Sequence, residues 1–400
     1  MKRILCLVFA VTLIAMSGFG QELRFSGIMN YGIGIEFSDE DDADPQIRVF
    51  GVDSEQGGGR FRLNASYSNE ERTAGADFRI QLQGNSTNTQ DLGLAFAYGW
   101  VRPVDFLQIK AGLVSDSTFE TAGVILRDDA GNGAGAGIFF RLTPIENLDL
   151  GVGLYPRGAL GSGDNNRIVS PGLAMNAEDH TKYTFGLAYT MPEVFRVTAS
   201  FRTFNQATGD TPTVADPYPS TDGRTRGRFV GELRLLAVEN LTAIFEVELD
   251  RLYHPDNDDL FNDDGRINLF QTLAYRMDDL RFGLNAVQYI SNADGHDDIA
   301  LRFNPWVSYT LADGSIVPRL DAVYMMGGEW TGNWDRRGDF GGNSLFYDHD
   351  LWVVNVRPSV RLNIDSRTSL EIGNSFYYTN PVVGDGYFNN VIYTDLVVRF

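Results

Sequence analysis

The chain carries four histidines, His180, His254, His296 and His349, and three of them stand beside carboxylates in Asp179-His180, His296-Asp297-Asp298 and Asp348-His349-Asp350. A carboxylate that orients an imidazole makes a general acid or base, the working part of a protease or lipase. No serine is tied to any of the three pairs, so the nucleophile such chemistry needs is not marked. Asp-rich loops also place His beside Asp by composition alone. Asp256-Asn257-Asp258-Asp259 and Asn262-Asp263-Asp264-Gly265 offer oxygen ligands for Ca²⁺, as does the acidic run Asp39 to Asp42. Their spacing departs from an EF-hand loop, and a solvated acidic surface is the competing reading. The run Gly133-Ala134-Gly135-Ala136-Gly137 precedes no helix and cannot cradle a dinucleotide. No catalytic residue, cofactor or metal site is assigned from these motifs.

Basic side chains are placed more regularly. Arg60, Arg62, Arg79, Lys110 and Arg141 fall on the polar side of segments whose other side is apolar. In Arg60 to Ser68, Phe61, Leu63, Ala65 and Tyr67 alternate with Arg60, Arg62, Asn64 and Ser66. In Ala74 to Leu82, Phe78, Ile80 and Leu82 alternate with Asp77, Arg79 and Gln81, and Leu92, Leu94, Phe96, Tyr98 and Trp100 form the next apolar row. Period-two alternation is the mark of a β-strand between an apolar and a polar environment. Pro305 and Gln271 interrupt the apolar side of their segments and read as local bulges. So many charges on the polar side could not be buried in a dry core. They imply a wide, water-filled interior.

The order of the elements follows from their connections. Short links at 103–105, 144–147, 191–193, 238–240, 278–279, 312–314 and 365–367 alternate with long polar segments such as 38–58, 115–132, 156–180 and 330–346. Counting hairpins predicts an all-β, transmembrane antiparallel β-barrel of about eighteen strands, with sixteen as the alternative. Tyr67, Trp100, Tyr189, Tyr275 and Tyr309 come just before short links on the apolar side, as a membrane-interface belt requires.

The chain divides into residues 1–20, a signal peptide, and 21–400, the barrel. Lys2 and Arg3 precede an apolar run from Ile4 to Met16, and Gly18 and Gly20 suit cleavage before Gln21. The run is shorter than the ~20 residues a membrane helix needs. The single cysteine, Cys6, lies within it, so the mature chain has no thiol for disulfides, Cys-ligated metal or nucleophilic chemistry. A net charge of −20 argues against nucleic acid as a partner, and 43 Gly, 17 Tyr and 27 Phe suit a barrel that hides its lipid face in alternation.

The last strand ends with Ile392, Leu396, Val398 and Phe400 on one face and Tyr393, Asp395 and Arg399 on the other. With its terminal Phe, its signal peptide, its short turns and its long loops, the chain resembles a bacterial outer-membrane porin. The resemblance implies residence in the outer membrane, the lipid bilayer as partner, passive diffusion of small hydrophilic solutes or ions, and Phe400 as assembly signal. It also implies a homotrimer, although the second outer loop, Gly84 to Gln90, is too short for the latch of the general porins. The third outer loop, Ser115 to Asn132, corresponds to the one that folds into the lumen. Asp116, Glu120, Asp128 and Asp129, with Arg127, would then face Arg60, Arg62 and Arg79 across an eyelet. Two further classes stand beside the channel: a barrel enzyme with its site at the outer mouth, and a surface adhesin or structural barrel working through its loops.

Overall fold

The structure is a computed structural model, and it describes residues 22–39, 45–50, 60–84, 90–119, 121, 136–156, 181–207, 221–252, 261–291, 299–326, 352–380 and 385–400. The signal-peptide segment 1–20 lies outside them. Strands account for almost all of the described residues. They are β1 (Glu22–Ser38), β2 (Gln46–Phe50), β3 (Arg60–Ser68), β4 (Ala74–Gly84), β5 (Gln90–Val104), β6 (Leu107–Leu113), β7 (Ala136–Ile145), β8 (Leu148–Pro156), β9 (Thr181–Met191) and β10 (Phe195–Ala207). The series continues with β11 (Thr221–Leu235), β12 (Leu241–Leu252), β13 (Phe261–Met277), β14 (Leu280–Ser291), β15 (Ile299–Tyr309), β16 (Ile316–Met326), β17 (Trp352–Asn363), β18 (Thr368–Asn380) and β19 (Tyr387–Arg399).

All pairings are antiparallel, from β3 onward they join sequence neighbours, and β19 returns to β1 to close the sheet. The nineteen segments fill eighteen wall positions. β3 pairs with the first half of β1, Glu22 to Asn30, and β2 with its second half, Gly32 to Glu36, so both occupy one edge. Part of what reads as the first outer loop is therefore strand. Closure removes every free edge, which lipid could not solvate. The last residue takes part: the Gly27 N–H donates to the Phe400 carbonyl at 2.7 Å, and the Phe400 N–H donates back at 3.1 Å.

The wall is apolar outside and polar inside, the reverse of a soluble protein. Ile392 is 48% exposed while its neighbour Tyr393 is 5% and Asp395 2%. Phe25, Phe185, Tyr189, Tyr275 and Tyr309 also face outward. Among the described residues no helix is long and apolar enough to cross a membrane, a statement that does not bear on crossing by strands. Acids and bases on the inner face answer one another, as in Arg228–Glu248 at 3.0 Å, Arg319–Asp321 at 2.6 Å and Arg361–Glu371 at 3.1 Å. That pairing is what lets charges stand on a partly enclosed wall. The inner face is not polar throughout. Phe270, Val287, Val323, Met325, Val353 and Val391 form a buried apolar cluster on β13 to β19.

Two sequence expectations are corrected. The register runs without a shift past Gln271, opposite Phe245 and Ala286, and past Pro305, opposite Leu284, so neither marks a bulge. A bulge does occur where alternation looked perfect. Arg79 pairs with Phe96 while Ile80 pairs with Leu94, which leaves Ala95 as the extra residue. One extra residue turns every later side chain to the opposite face. Phe96, Tyr98 and Trp100 therefore line the lumen, and Ala97 and Val101 take the lipid side.

Candidate pore constriction

The inner wall of β3 to β7 carries most of the basic residues singled out from the sequence. Arg62 donates from Nε to Gln81 at 2.6 Å, and Arg79 donates from Nε to Asn64 at 2.6 Å. The Nε of Arg141 meets Asp149 at 2.9 Å. Lys110 is buried and contacts Asp116 at 3.0 Å. The bulged strand β5 adds rings to this wall. Arg79 lies 4.7 Å from the centre of the Phe96 ring, Lys110 4.8 Å from that of Tyr98, and Arg102 5.4 Å from that of Trp100. A cation over a ring face gains from the ring quadrupole and is held in one orientation. Gly112 sits opposite Tyr98 with a φ of 125°, where an added Cβ would press on the backbone of β5.

The chain leaving β6 turns back onto this inner wall. Asp116 accepts from the Thr118 N–H at 2.9 Å, which shapes the short 3₁₀ turn Ser117–Phe119. Lys110 Nζ also donates to the Ser115 carbonyl at 3.2 Å. From β10, Arg196 reaches across to donate to the Thr118 carbonyl at 2.8 Å. The Phe119 ring is fully buried, edge-on to Phe139 with centroids 5.9 Å apart and close to Gly151. With Val114, Tyr155 and Ala188 it forms an apolar cluster on the lumen side. Three unlike contacts, ionic, polar and apolar, fasten this segment to strands from β6 to β10.

Between the turn and the wall lies a cavity of about 790 Å³. Arg62, Arg79, Lys110 and Arg141 all line it, and so does Asp116. Arg60 is placed in β3 opposite Asn30 and Gln83. Glu120, Arg127, Asp128 and Asp129 lie outside the described residues, as do the four histidines and the run 256–259. Among the described residues no group of carboxylates, histidines or cysteines is gathered for a metal.

Sequence reasoning missed Arg24, Arg72 and Arg102, which line the same cavity, and the rings of Phe96, Tyr98 and Trp100. One signal was available. Arg102 continues the even-numbered row of Phe96, Tyr98 and Trp100, and a guanidinium at the end of a supposed lipid-facing row points to a change of face.

Comparison with solved structures agrees with this architecture. OccAB1 from Acinetobacter baumannii superposes with a TM-score of 0.54 at 11% identity, over 96% of this chain and 98% of that one. OpdO from Pseudomonas aeruginosa gives 0.53 at 9%, over 95% and 98%. OccAB4 from Acinetobacter baumannii gives 0.52 at 10%, again over 95% and 98%. The fold is that of the bacterial outer-membrane porins. No family model matches the sequence, and no curated protein is similar to it. At such low identity the likeness concerns the porin fold, and side-chain roles rest on the geometry given above.

Proposed function

We propose that this chain forms a water-filled channel in the outer membrane of a bacterium, through which small hydrophilic solutes or ions diffuse passively. The observation that carries this reading is the fastening of residues 114–119 to the inner wall by Lys110, Arg196 and the Phe119 cluster. A segment held there narrows the lumen without closing the barrel. Continued through residues 115–132, it would bring Glu120, Asp128 and Asp129, with Arg127, opposite the bases of β3 and β4. Carboxylates facing guanidiniums set a transverse field that orders polar solutes and water and rejects bulky apolar ones. Within a Debye length of ~8 Å the basic wall outweighs the distant acidic loops, which favours a weak anion preference. Recording purified protein in a planar bilayer tests the reading: discrete conductance steps with a reversal potential on the anion side support it. A folded protein that inserts without any conductance overturns it.

A further inference from the structure

We infer that a groove on the lipid-facing side of β15 to β19 seats one acyl chain of a phospholipid from the leaflet at the short-turn end. The inference rests on the bilayer setting and is independent of conduction. The groove has a volume of about 660 Å³, and its sides are outward, mostly apolar residues. They form two rows that cross the strands. In one, Val307 pairs with Leu320, Leu320 with Pro358, and Asn374 with Ile392. In the other, Pro318 pairs with Val360 and Val360 with Ile372, and Tyr309 stands at the β15 end. The compact rings of Pro318 and Pro358 leave the surface hollow between longer side chains. The hollow has a cost: the ladder between β17 and β18 skips Arg357 and Pro358, passing from Val356–Phe376 to Ser359–Gly373. A proline inside a sheet forgoes a ladder hydrogen bond, a loss that lipid cannot make good. The rigid rings give the groove a preformed shape.

Position decides the occupant. The groove is continuous with the lipid-facing wall, and Tyr309 at its lower end is an outward aromatic next to a short link, where the membrane interface lies. From there the groove climbs. Val307 stands two residues from the end of β15, Pro358 five from that of β17 and Ile392 seven from that of β19. Five strands spaced ~4.8 Å apart give it a length of about 19 Å, and a strand tilt of ~40° lifts it about 12 Å through a ~15 Å leaflet. An acyl chain whose headgroup sits beside Tyr309 follows that line. Arg319, at the floor, is turned inward onto Asp321 and the Trp306 ring, so no charge enters the groove from it. Asn374 Oδ1 has no hydrogen-bond partner among the described residues. A hydrocarbon chain asks nothing of that amide, whereas a protein surface in the membrane would use it.

Photolabelling of the folded protein in phosphatidylcholine vesicles tests the inference. The probe is a trace of phosphatidylethanolamine with a diazirine in one acyl chain, and labelled residues are identified by mass spectrometry. Label should concentrate on Leu320, Val360 and Ile392 by about tenfold over Phe185 and Leu187, outward residues of β9. Val360→Trp or Ile372→Trp fills the groove and should abolish that excess at the remaining positions. Val354→Trp, outward on β17 but outside the groove, should preserve it. Asn374→Leu, which keeps the volume and removes the amide, should also preserve it. Heat-modifiable mobility on gels establishes that each variant is folded. Even labelling around the barrel overturns the inference, because lipid then only bathes the wall. Loss of the excess in Asn374→Leu, or a dimer on sedimentation that Val360→Trp dissolves, gives the groove to a protein partner and overturns the lipid assignment. Conductance is recorded beside the labelling and should be the same in every variant. A conducting channel that labels evenly sinks this inference only, and a protein that shows the excess but does not conduct sinks the channel reading only.

Discussion

An added Cβ on Gly151 would come within 2.7 Å of the Phe119 ring, so the ring occupies space that only glycine leaves open. The 3₁₀ turn Ser117–Phe119 is seated on β8 by that missing side chain. Gly151→Val should therefore unseat the turn while the outer face, and with it assembly, stays intact. Single-channel conductance is expected to rise on the order of twofold, with noisier open states. A conductance equal to the parent's would show that the segment does not limit the pore.

The bulge at Ala95 reverses the expectation for one strand. Phe96→Arg should assemble normally, because the side chain faces the lumen beside Arg79. Ala97→Arg and Leu187→Arg place a charge towards lipid, at a cost of roughly 2–4 kcal/mol near mid-membrane, and should block assembly. Gln81→Arg, on the lumen side, should be tolerated. Heat-modifiable mobility separates the two groups, and loss of folding in Phe96→Arg would place the bulge elsewhere.

Replacing Arg60, Arg62 and Arg79 together by Ser removes three bases from β3 and β4. The reversal potential in a salt gradient should move towards cations, and conductance should increase as long side chains are lost. An unchanged reversal potential would remove these residues from the selectivity-determining set.

Phe400 contributes both ends of a backbone hydrogen-bond pair with Gly27 and a ring 6.2 Å from Phe61. Deleting it opens the seam between β19 and β1 at the short-turn end. Membrane-inserted protein should fall several-fold relative to the parent, about the effect of losing two hydrogen bonds and one aromatic anchor. Normal insertion in a pulse-chase assay would show that the seam closes without the last residue.

In the turn between β17 and β18, Asp365 accepts from the N–H groups of Arg367 and Thr368, both at 2.7 Å. Those hydrogen bonds hold its carboxyl below the usual range. A depressed carboxyl stabilises the folded state above its unfolded pKa, and that contribution fades as pH falls through the lower, folded value. The parent's urea midpoint should therefore drop as acid is added below about pH 4, more than that of Asp365→Asn. Parallel midpoint curves for the two proteins would show that the turn carries no such linkage.

The barrel, its even number of wall strands and the two faces of most strands follow from the sequence alone. Lipid outside and water inside impose a period of two on every span, and the short turns and long loops mark the two ends. Arg62, Arg79, Lys110 and Arg141 were legible for this reason, since a base in an alternating segment can only face the lumen. The tertiary structure decided what alternation cannot carry. One extra residue, Ala95, turned Phe96, Tyr98 and Trp100 inward, and nothing local distinguishes a bulge from a regular step until the partner strand fixes the register. The hold of Arg196 on the Thr118 carbonyl and the seat of Phe119 on Gly151 join residues far apart in the chain. Such contacts arise only when the closed wall brings β6, β8 and β10 around one segment.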